Sequence, residues 1–120
     1  RPFAPVILKE DANNYFEMHN YESKYMNIVF NAKKITSEKF SGVVNVDNTS
    51  RVQTIDKKDN FKLYNLISKY KEITGCPMLI NTSLNVKGPI AQTPLDAFLY
   101  FKKTDVKCLV LNNWVIELNE

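Results

Sequence analysis

A run of small and amide residues, 81–85, directly follows the apolar run 78–80 and is the most unusual segment of the sequence. A short apolar run next to turn residues predicts a buried strand, and open α/β sheets bind ligands beyond the carboxyl ends of their strands. The Ser83 hydroxyl and the Asn85 amide can hydrogen-bond a phosphate or carbonyl oxygen, and Lys87 adds a positive charge. A turn stabilised by its own side chains explains the same residues equally well.

Arg51 is a second candidate, because it follows a turn-prone cluster, residues 47–50, and opens an alternating segment, residues 51–55. The planar guanidinium group of arginine forms paired hydrogen bonds with phosphate or carboxylate. Arg1 and Arg51 are the only arginines among 16 basic residues, which favours a role that depends on geometry. An exposed arginine in a weak ion pair is the alternative interpretation.

The remaining reactive side chains do not form a recognisable catalytic or metal-binding set. His19 is the only histidine and lies in a polar stretch, so we expect it at the surface and do not expect Ser83 to be a covalent nucleophile. Cys76 and Cys108 are far apart and adjoin apolar runs, so we expect buried, inert thiols. No spacing resembles a metal site, and we expect no metal site in this chain.

Length and composition indicate one globular domain and exclude several classes of partner. The chain has 120 residues, 44% of them apolar and 24% charged, which is sufficient for a single core. The net charge is only +3 and the lysines are scattered, so we expect no nucleic-acid partner. No run of eighteen apolar residues is present, so we expect no membrane span and a cytoplasmic protein.

Hydrophobic periodicity predicts strands that alternate with helices, followed by a terminal hairpin. The predicted helices are residues 11–18, 60–74 and 94–103. The predicted strands are residues 6–8, 25–30, 43–46, 51–55, 78–80, 106–111 and 114–118. This order predicts an α/β or α+β fold, a twisted mixed β-sheet with flanking helices.

Local signals predict where several of these elements begin and end. We expect Asp11 and Thr93 to cap their helices, and Gly75 to end the helix that precedes it. Residues 112–113 are expected to form a tight hairpin turn, and Trp114 is expected to pack in the core. The continuous apolar run 78–80 predicts a strand that is covered on both faces.

Three sequence blocks together resemble the C-terminal domain of the O-carbamoyltransferase family, which includes nodulation-factor and antibiotic carbamoyltransferases. The blocks are Arg1-Pro2-Phe3-Ala4-Pro5-Val6, Val46-Asp47-Asn48-Thr49-Ser50-Arg51-Val52-Gln53-Thr54 and Asn81-Thr82-Ser83-Leu84-Asn85-Val86-Lys87-Gly88. The helix start at residues 93–97 and the closing strand with Trp114 also fit the family. The resemblance covers essentially the whole chain, so residues 1–120 are interpreted as one domain, a fragment of a larger two-domain enzyme.

The resemblance implies a fold, a reaction and a partner. It implies a sheet similar to that of threonylcarbamoyl-adenylate synthases, incomplete at its N-terminus, in which carbamoyl phosphate and ATP react to give carbamoyl adenylate. We expect Mg²⁺ to arrive with the nucleotide. The partner would be an N-terminal kinase-like domain, which holds a metal and binds the alcohol that accepts the carbamoyl group.

The resemblance also implies roles for individual residues. Arg51 matches an arginine that holds the phosphate or carbamoyl end, and Ser83 and Asn85 match a pair that contacts nucleotide phosphate and carbamoyl groups. The expected catalytic residues are therefore Arg51, Ser83 and Asn85. The expected nucleotide-binding residues are Arg1, Asn81, Thr82 and Lys87. Adenylate formation moves negative charge between phosphates, and fixed donors directed at that charge suit it.

The chain departs from the family pattern at several positions. Asn45 replaces a histidine, Asn48 replaces a glycine, and Gly88-Pro89 lacks an intervening glutamate. A Gly-Pro-Arg block that precedes Arg1 in the family is absent, so we expect no activity from this chain alone. The alternative hypothesis is a non-catalytic nucleotide- or phosphate-binding or interaction module that retains only the fold.

Overall fold

The computed structural model describes residues 3–118 and forms two compact units, divided between Thr82 and Ser83. The first unit contains β1 (Ala4–Leu8), α1 (Lys9–Tyr15), β2 (Phe30–Asn31), α2 (Lys34–Lys39), a 3-10 turn (Ser41–Val43), β3 (Thr49–Ser50), β4 (Gln53–Ile55), α3 (Phe61–Thr74) and β5 (Met78–Asn81). The second contains α4 (Pro94–Phe101), β6 (Cys108–Leu111) and β7 (Trp114–Glu117). Among the helices described here, none combines the length and the apolar character needed to cross a membrane.

The first unit is organised around a three-stranded mixed sheet in the order β4-β1-β5. The central strand β1 runs parallel to β4, with Val6 opposite Gln53, and antiparallel to β5, with Ala4 opposite Asn81. A second, two-stranded sheet pairs β2 with β3. These sheets and the flanking helices confirm the predicted mixed α/β fold.

Both faces of β1 are buried, and successive residues of the strand enter two different clusters. Ile7 points into a cluster with Phe16, Val52 and Met78, whereas Val6 and Leu8 enter a second cluster with α3. Because neighbouring side chains of a strand point to opposite faces, the apolar run at positions 6–8 supplies both clusters. The predicted strand at 6–8 is therefore confirmed and extends to Ala4.

The helix α3 ends where Gly75 predicts and begins one residue after the predicted start at residue 60. The Asn60 side chain accepts a hydrogen bond from the Leu63 backbone N–H at 3.1 Å, and Gly75 adopts φ 75° immediately after the last turn. A left-handed residue at this position favours glycine, because other residues carry a Cβ that is strained there. Ile67 lies in the centre of the buried face of the helix, against β1 and β4.

The second unit also follows its local signals. Thr93 and Asp96 form a capping box at the start of α4: the Thr93 hydroxyl accepts from the Asp96 N–H, and the Asp96 carboxylate accepts from the Thr93 N–H. Strands β6 and β7 form the predicted hairpin, with Asn112 in the left-handed region at φ 53°. The helix ends at Phe101, two residues before the predicted end.

Three local predictions in the first unit are wrong. Asp11 does not cap α1, because the helix starts at Lys9 and the Asp11 carboxylate pairs with the Lys71 ammonium group at 2.7 Å. The predicted strand at 25–30 is replaced by β2, because only Phe30, the last residue of that segment, pairs with β3, together with the following Asn31. The predicted strand at 43–46 is replaced by the end of the 3-10 turn and a loop.

Three predictions of burial are wrong. Ile80 is 56% exposed, although Met78 of the same strand is buried, so β5 is not covered along its whole length as the apolar run predicts. Trp114 is 76% exposed, since it lies in a two-stranded hairpin beside the turn rather than in the core. Cys76 is half-buried and Cys108 is exposed, so the expectation of two buried thiols is also wrong.

Candidate functional site

Arg51 lies between β3 and β4, on the polar side of the alternating segment. Val52 is fully buried in the core, whereas the neighbouring Arg51 is exposed. Within residues 3–118, no hydrogen bond or ion pair engages the Arg51 guanidinium group. The backbone beside Arg51 is therefore anchored, and its forked set of N–H donors is available to an anion.

The turn before Arg51 is held by its own side chains. The Asp47 carboxylate accepts hydrogen bonds from the Thr49 hydroxyl at 2.6 Å and the Thr49 N–H at 3.1 Å, and these bonds lower the pKa of Asp47. Asn48 adopts φ 63° and donates from its amide to the Ala32 carbonyl at 2.9 Å. The turn therefore enters β3 in one defined conformation, two residues before Arg51.

Gln53 and Asn81 form a side-chain bridge between the two outer strands of the sheet. The Asn81 amide Nδ2 donates to Gln53 Oε1 at 2.6 Å, and Gln53 Nε2 donates to the Lys24 carbonyl at 3.0 Å. Both residues are half-buried. Because β1 lies between β4 and β5, this bridge crosses the central strand of the sheet.

A cleft of about 300 Å³ lies beside Gln53 in the first unit. Its walls include the apolar side chains of Ile55 and Leu63 and the ion pair between Lys24 and Asp59, whose N–O distance is 2.7 Å. The hydrogen bond to Asp59 raises the pKa of Lys24. A larger cleft of about 430 Å³ between α1 and residues 20–21 includes none of the predicted site residues.

Ser83, Asn85 and Lys87 lie together in an exposed loop of the second unit. The Ser83 hydroxyl donates to Asn85 Oδ1 at 3.1 Å, and Asn85 Nδ2 donates to the Gly88 carbonyl at 2.9 Å. Lys87 has a positive φ of 49°, so the chain turns sharply there. The loop is thus ordered by local hydrogen bonds and presents a hydroxyl, a carboxamide and a charge to solvent.

The other predicted residues lie outside that loop. Arg51, Asn81 and an exposed Thr82 belong to the first unit, and Arg1 lies outside the described residues. Nothing in the structure assigns a ligand to any of these side chains, so the predicted roles stay predictions.

The family model named "Carbamoyltransferase C-terminus" matches residues 1–118, which is nearly the whole chain. The chain belongs to this carbamoyltransferase C-terminal family. The resemblance found from the sequence blocks is therefore confirmed at the level of the family.

Several curated relatives are similar to this carbamoyltransferase C-terminal region over almost all of its length. The nodulation protein NolNO of Sinorhizobium fredii is 36% identical over 120 residues, covering 98% of this chain and 18% of the relative. The nodulation protein NolO of Bradyrhizobium diazoefficiens is 34% identical, covering 97% and 22%. An uncharacterised protein of Methanocaldococcus jannaschii is 36% identical, covering 98% and 19%. The chain spans about a fifth of the length of these relatives.

Two departures from the carbamoyltransferase pattern have structural explanations. Asn45 donates from its side chain to the Thr49 hydroxyl at 3.1 Å, so it stabilises the turn rather than supplying a titrating group. Asn48, where the resemblance implies glycine, adopts a left-handed φ of 63°, which asparagine tolerates better than most other residues. Both asparagines therefore stabilise the turn that leads to Arg51 in this chain.

Gln53 is the residue that sequence reasoning missed as a contributor to this site. The sequence does indicate Gln53, because it belongs to the same block as Arg51 and lies two positions further along the alternating segment, on the same side of the predicted strand. Its partner, Asn81, is distant in sequence and emerges only when β4 and β5 are placed on either side of β1. Among residues 3–118, no group of three or more His, Cys, Asp or Glu side chains could hold a metal ion.

Proposed function

We propose that this chain is the C-terminal part of a carbamoyltransferase that forms carbamoyl adenylate from carbamoyl phosphate and ATP for transfer to an acceptor hydroxyl. Family membership over residues 1–118 supports the assignment to a carbamoyltransferase. The observation that carries the proposed site is the exposed, unpaired guanidinium group of Arg51 on an anchored backbone, within the part of the chain that the structure describes.

The proposed reaction needs anion binding rather than a protein nucleophile. Carbamoyl phosphate, water and ATP give carbamoyl adenylate, phosphate and pyrophosphate. A carbamate oxygen, freed when phosphate leaves, bonds to the α-phosphorus of ATP while the bond from that phosphorus to the pyrophosphate oxygen breaks. Since the attacking group comes from the substrate, the protein supplies positioning and donors for the moving charge. The exposed position of His19 is compatible with this reaction.

The hydrogen-bonding groups of the candidate residues suit two different substrates, carbamoyl phosphate and the nucleotide. Arg51 offers paired N–H donors that suit a phosphate or carbamoyl oxygen. Asn85 would donate its second N–H to a nucleotide phosphate, and Ser83 would donate to it by turning its O–H away from Asn85 Oδ1. Lys87 would add a point charge, and Thr82 a hydroxyl. The donors that are present therefore fit anionic substrates, and Mg²⁺ would be carried by the nucleotide rather than by a protein site.

The second half of the reaction would take place on another domain. We propose that the carbamoyl group passes to an alcohol held by an N-terminal kinase-like domain, and that the reaction takes place in the cytoplasm. The curated relatives, of which this chain matches about a fifth, leave room for such a domain.

The proposal is tested by comparing the full-length protein with residues 1–120 alone. Each is incubated with ATP and carbamoyl phosphate, and pyrophosphate and carbamoyl adenylate are measured against a control without protein. We expect pyrophosphate from the full-length protein only when carbamoyl phosphate is present, and none from residues 1–120. Nucleotide binding without turnover by the full-length protein would support the non-catalytic alternative and refute the enzymatic proposal.

A further inference from the structure

The hydrogen bonds of the Gln53–Asn81 bridge fix which end of each carboxamide is a donor. The Lys24 carbonyl can only accept, so the Gln53 nitrogen must face it and the Gln53 oxygen must face Asn81. Asn81 is then obliged to present its nitrogen to Gln53. The order of these contacts determines the orientation of both amides.

The amide nitrogen of Asn81 is fully used within the protein. One contact is the 2.6 Å hydrogen bond to Gln53, and the other is the Met26 sulfur at 3.7 Å. The Asn81 oxygen, in contrast, accepts no hydrogen bond from any residue between 3 and 118. Among the described residues, every buried side-chain oxygen has a hydrogen-bond partner. Because the Asn81 oxygen has none, it is accessible to solvent.

Asn81 therefore offers a ligand an acceptor and no donor. Phosphate oxygens are acceptors as well, so this side chain is a poor phosphate ligand. A carbamoyl group carries an –NH2, whose N–H bonds require acceptors. The chemistry at this position matches the amide end of carbamoyl phosphate, while Arg51, on the segment that enters β4, matches its phosphate end.

We propose that Asn81 determines specificity by accepting a hydrogen bond from the –NH2 of the carbamoyl substrate, and that Gln53 is the positioning residue that holds Asn81 in this orientation. The inference rests on the proposed function and revises the expected role of Asn81 as a nucleotide ligand. A site built to hydrogen-bond an N–H rejects an analogue that lacks it, because the acceptor is then left without a partner.

Acetyl phosphate is the probe, because it replaces the –NH2 of carbamoyl phosphate with a methyl group of similar size. In the full-length protein, pyrophosphate formation gives kcat/KM for carbamoyl phosphate, and acetyl phosphate is titrated as a competitive inhibitor. We expect Asn81→Leu to lower kcat/KM for carbamoyl phosphate by about tenfold or more, while the inhibition constant of acetyl phosphate changes by less than about twofold.

Two substitutions at Gln53 separate positioning from simple loss of structure. Gln53→Met removes the acceptor for Asn81 and should lower the preference for carbamoyl over acetyl phosphate by about threefold to tenfold. Gln53→Glu keeps an oxygen that can accept from Asn81 and should retain most of that preference. If Asn81→Leu does not fold, this pair of variants still provides the comparison.

Ser23→Ala is the matched structural control. The Ser23 hydroxyl donates to the Val52 carbonyl at 2.8 Å, so its loss destabilises the same segment but removes none of the hydrogen bonds of the Gln53–Asn81 bridge. We expect a lower melting temperature and an unchanged preference for carbamoyl phosphate. An equal loss of affinity for both acyl phosphates in Asn81→Leu, or a change confined to the KM of ATP, would overturn the inference.

A failure of the proposed function is distinguishable from a failure of this inference. If the proposed function is wrong, the wild-type protein forms no pyrophosphate. Calorimetric titration with carbamoyl phosphate and with acetyl phosphate then replaces the kinetic measurement. Tighter binding of carbamoyl phosphate that Asn81→Leu abolishes supports the inference, whereas equal binding of both probes by the wild-type protein refutes it.

Discussion

The substitution Arg51→Lys separates a role in substrate binding from a role in folding. Arg51 is exposed and pairs with nothing within residues 3–118, so the change should alter the free energy of unfolding by no more than about 0.5 kcal/mol. Lysine keeps the positive charge but loses the forked pair of donors. The expected effect is therefore confined to the interaction with the anionic substrate.

The size of that effect follows from the lost hydrogen bond. A hydrogen bond to a charged group contributes about 1.5–3 kcal/mol, and each 1.4 kcal/mol corresponds to about a tenfold change. We expect Arg51→Lys to lower kcat/KM for carbamoyl phosphate by about 10-fold to 150-fold. The assay is pyrophosphate release by the full-length protein, with a thermal melt of the same sample to verify folding.

Lys57→Ala is the control, because it removes a positive charge that Arg51→Lys retains. Lys57 lies close to the start of α3, where its ammonium group is 5.5 Å from the centre of the Phe61 ring. If the overall positive charge attracts the substrates, Lys57→Ala is the more damaging variant. If geometry at Arg51 matters, Lys57→Ala changes activity by less than about twofold. Equal effects of the two substitutions, or no effect of Arg51→Lys, would refute the assignment of Arg51.

Three further predictions concern stability. Ser23→Ala should lower the free energy of unfolding by about 1–3 kcal/mol in urea titrations, because the Val52 carbonyl in the core loses its donor; an unchanged midpoint would contradict this. Gly75→Ala should lower the free energy of unfolding by about 1 kcal/mol, measured in thermal melts. The cause is the backbone strain at φ 75° alone, since no atom lies within 4 Å of the added Cβ. A more stable variant would contradict this prediction. Hydrogen bonds from Thr93 lower the pKa of Asp96 below 3.8, so its stabilising effect is complete above that pH and is lost as the pH falls through the lower, folded-state value. Asp96→Asn should therefore lose less helix signal than the wild-type protein in circular dichroism titrations below pH 3.8, and parallel titration curves would refute this.

The elements that sequence reasoning located well are those whose signals are local. Asn60, Gly75 and the Thr93–Asp96 pair act on backbone groups within a few residues, so their effect does not depend on the rest of the fold. The strand β1 was also predictable, because a short apolar run at positions 6–8 next to turn residues is typical of a buried strand.

The errors fall where the outcome depends on distant residues. The segment at residues 25–30 has the composition of a strand, but a strand also needs a pairing partner, and within this segment only Phe30 has one. Ile80 is as apolar as Met78 of the same strand, yet Met78 packs in the core cluster and Ile80 is exposed, because burial depends on which distant segments cover each position. No local pattern encodes the order of strands in a sheet.

In the candidate site, too, the local features could be predicted from the sequence and the contacts between distant residues could not. Arg51 stood out from its residue type and its place after a turn, both of which are local properties. The bridge between Gln53 and Asn81 could not be predicted, since it requires β4 and β5 on opposite sides of β1. The direction of its hydrogen bonds depends further on the Lys24 carbonyl, which belongs to a third segment.

The central position of β1 has a consequence for how the protein is made. During synthesis, β1 leaves the ribosome before either of its partners, and it waits unpaired until Ile55 and then Asn81 have emerged. Contacts between segments so far apart in the chain slow folding, because a long loop must close before they form. Its fully apolar run Val6–Leu8 is meanwhile a target for chaperones, or for the same run on a neighbouring nascent chain.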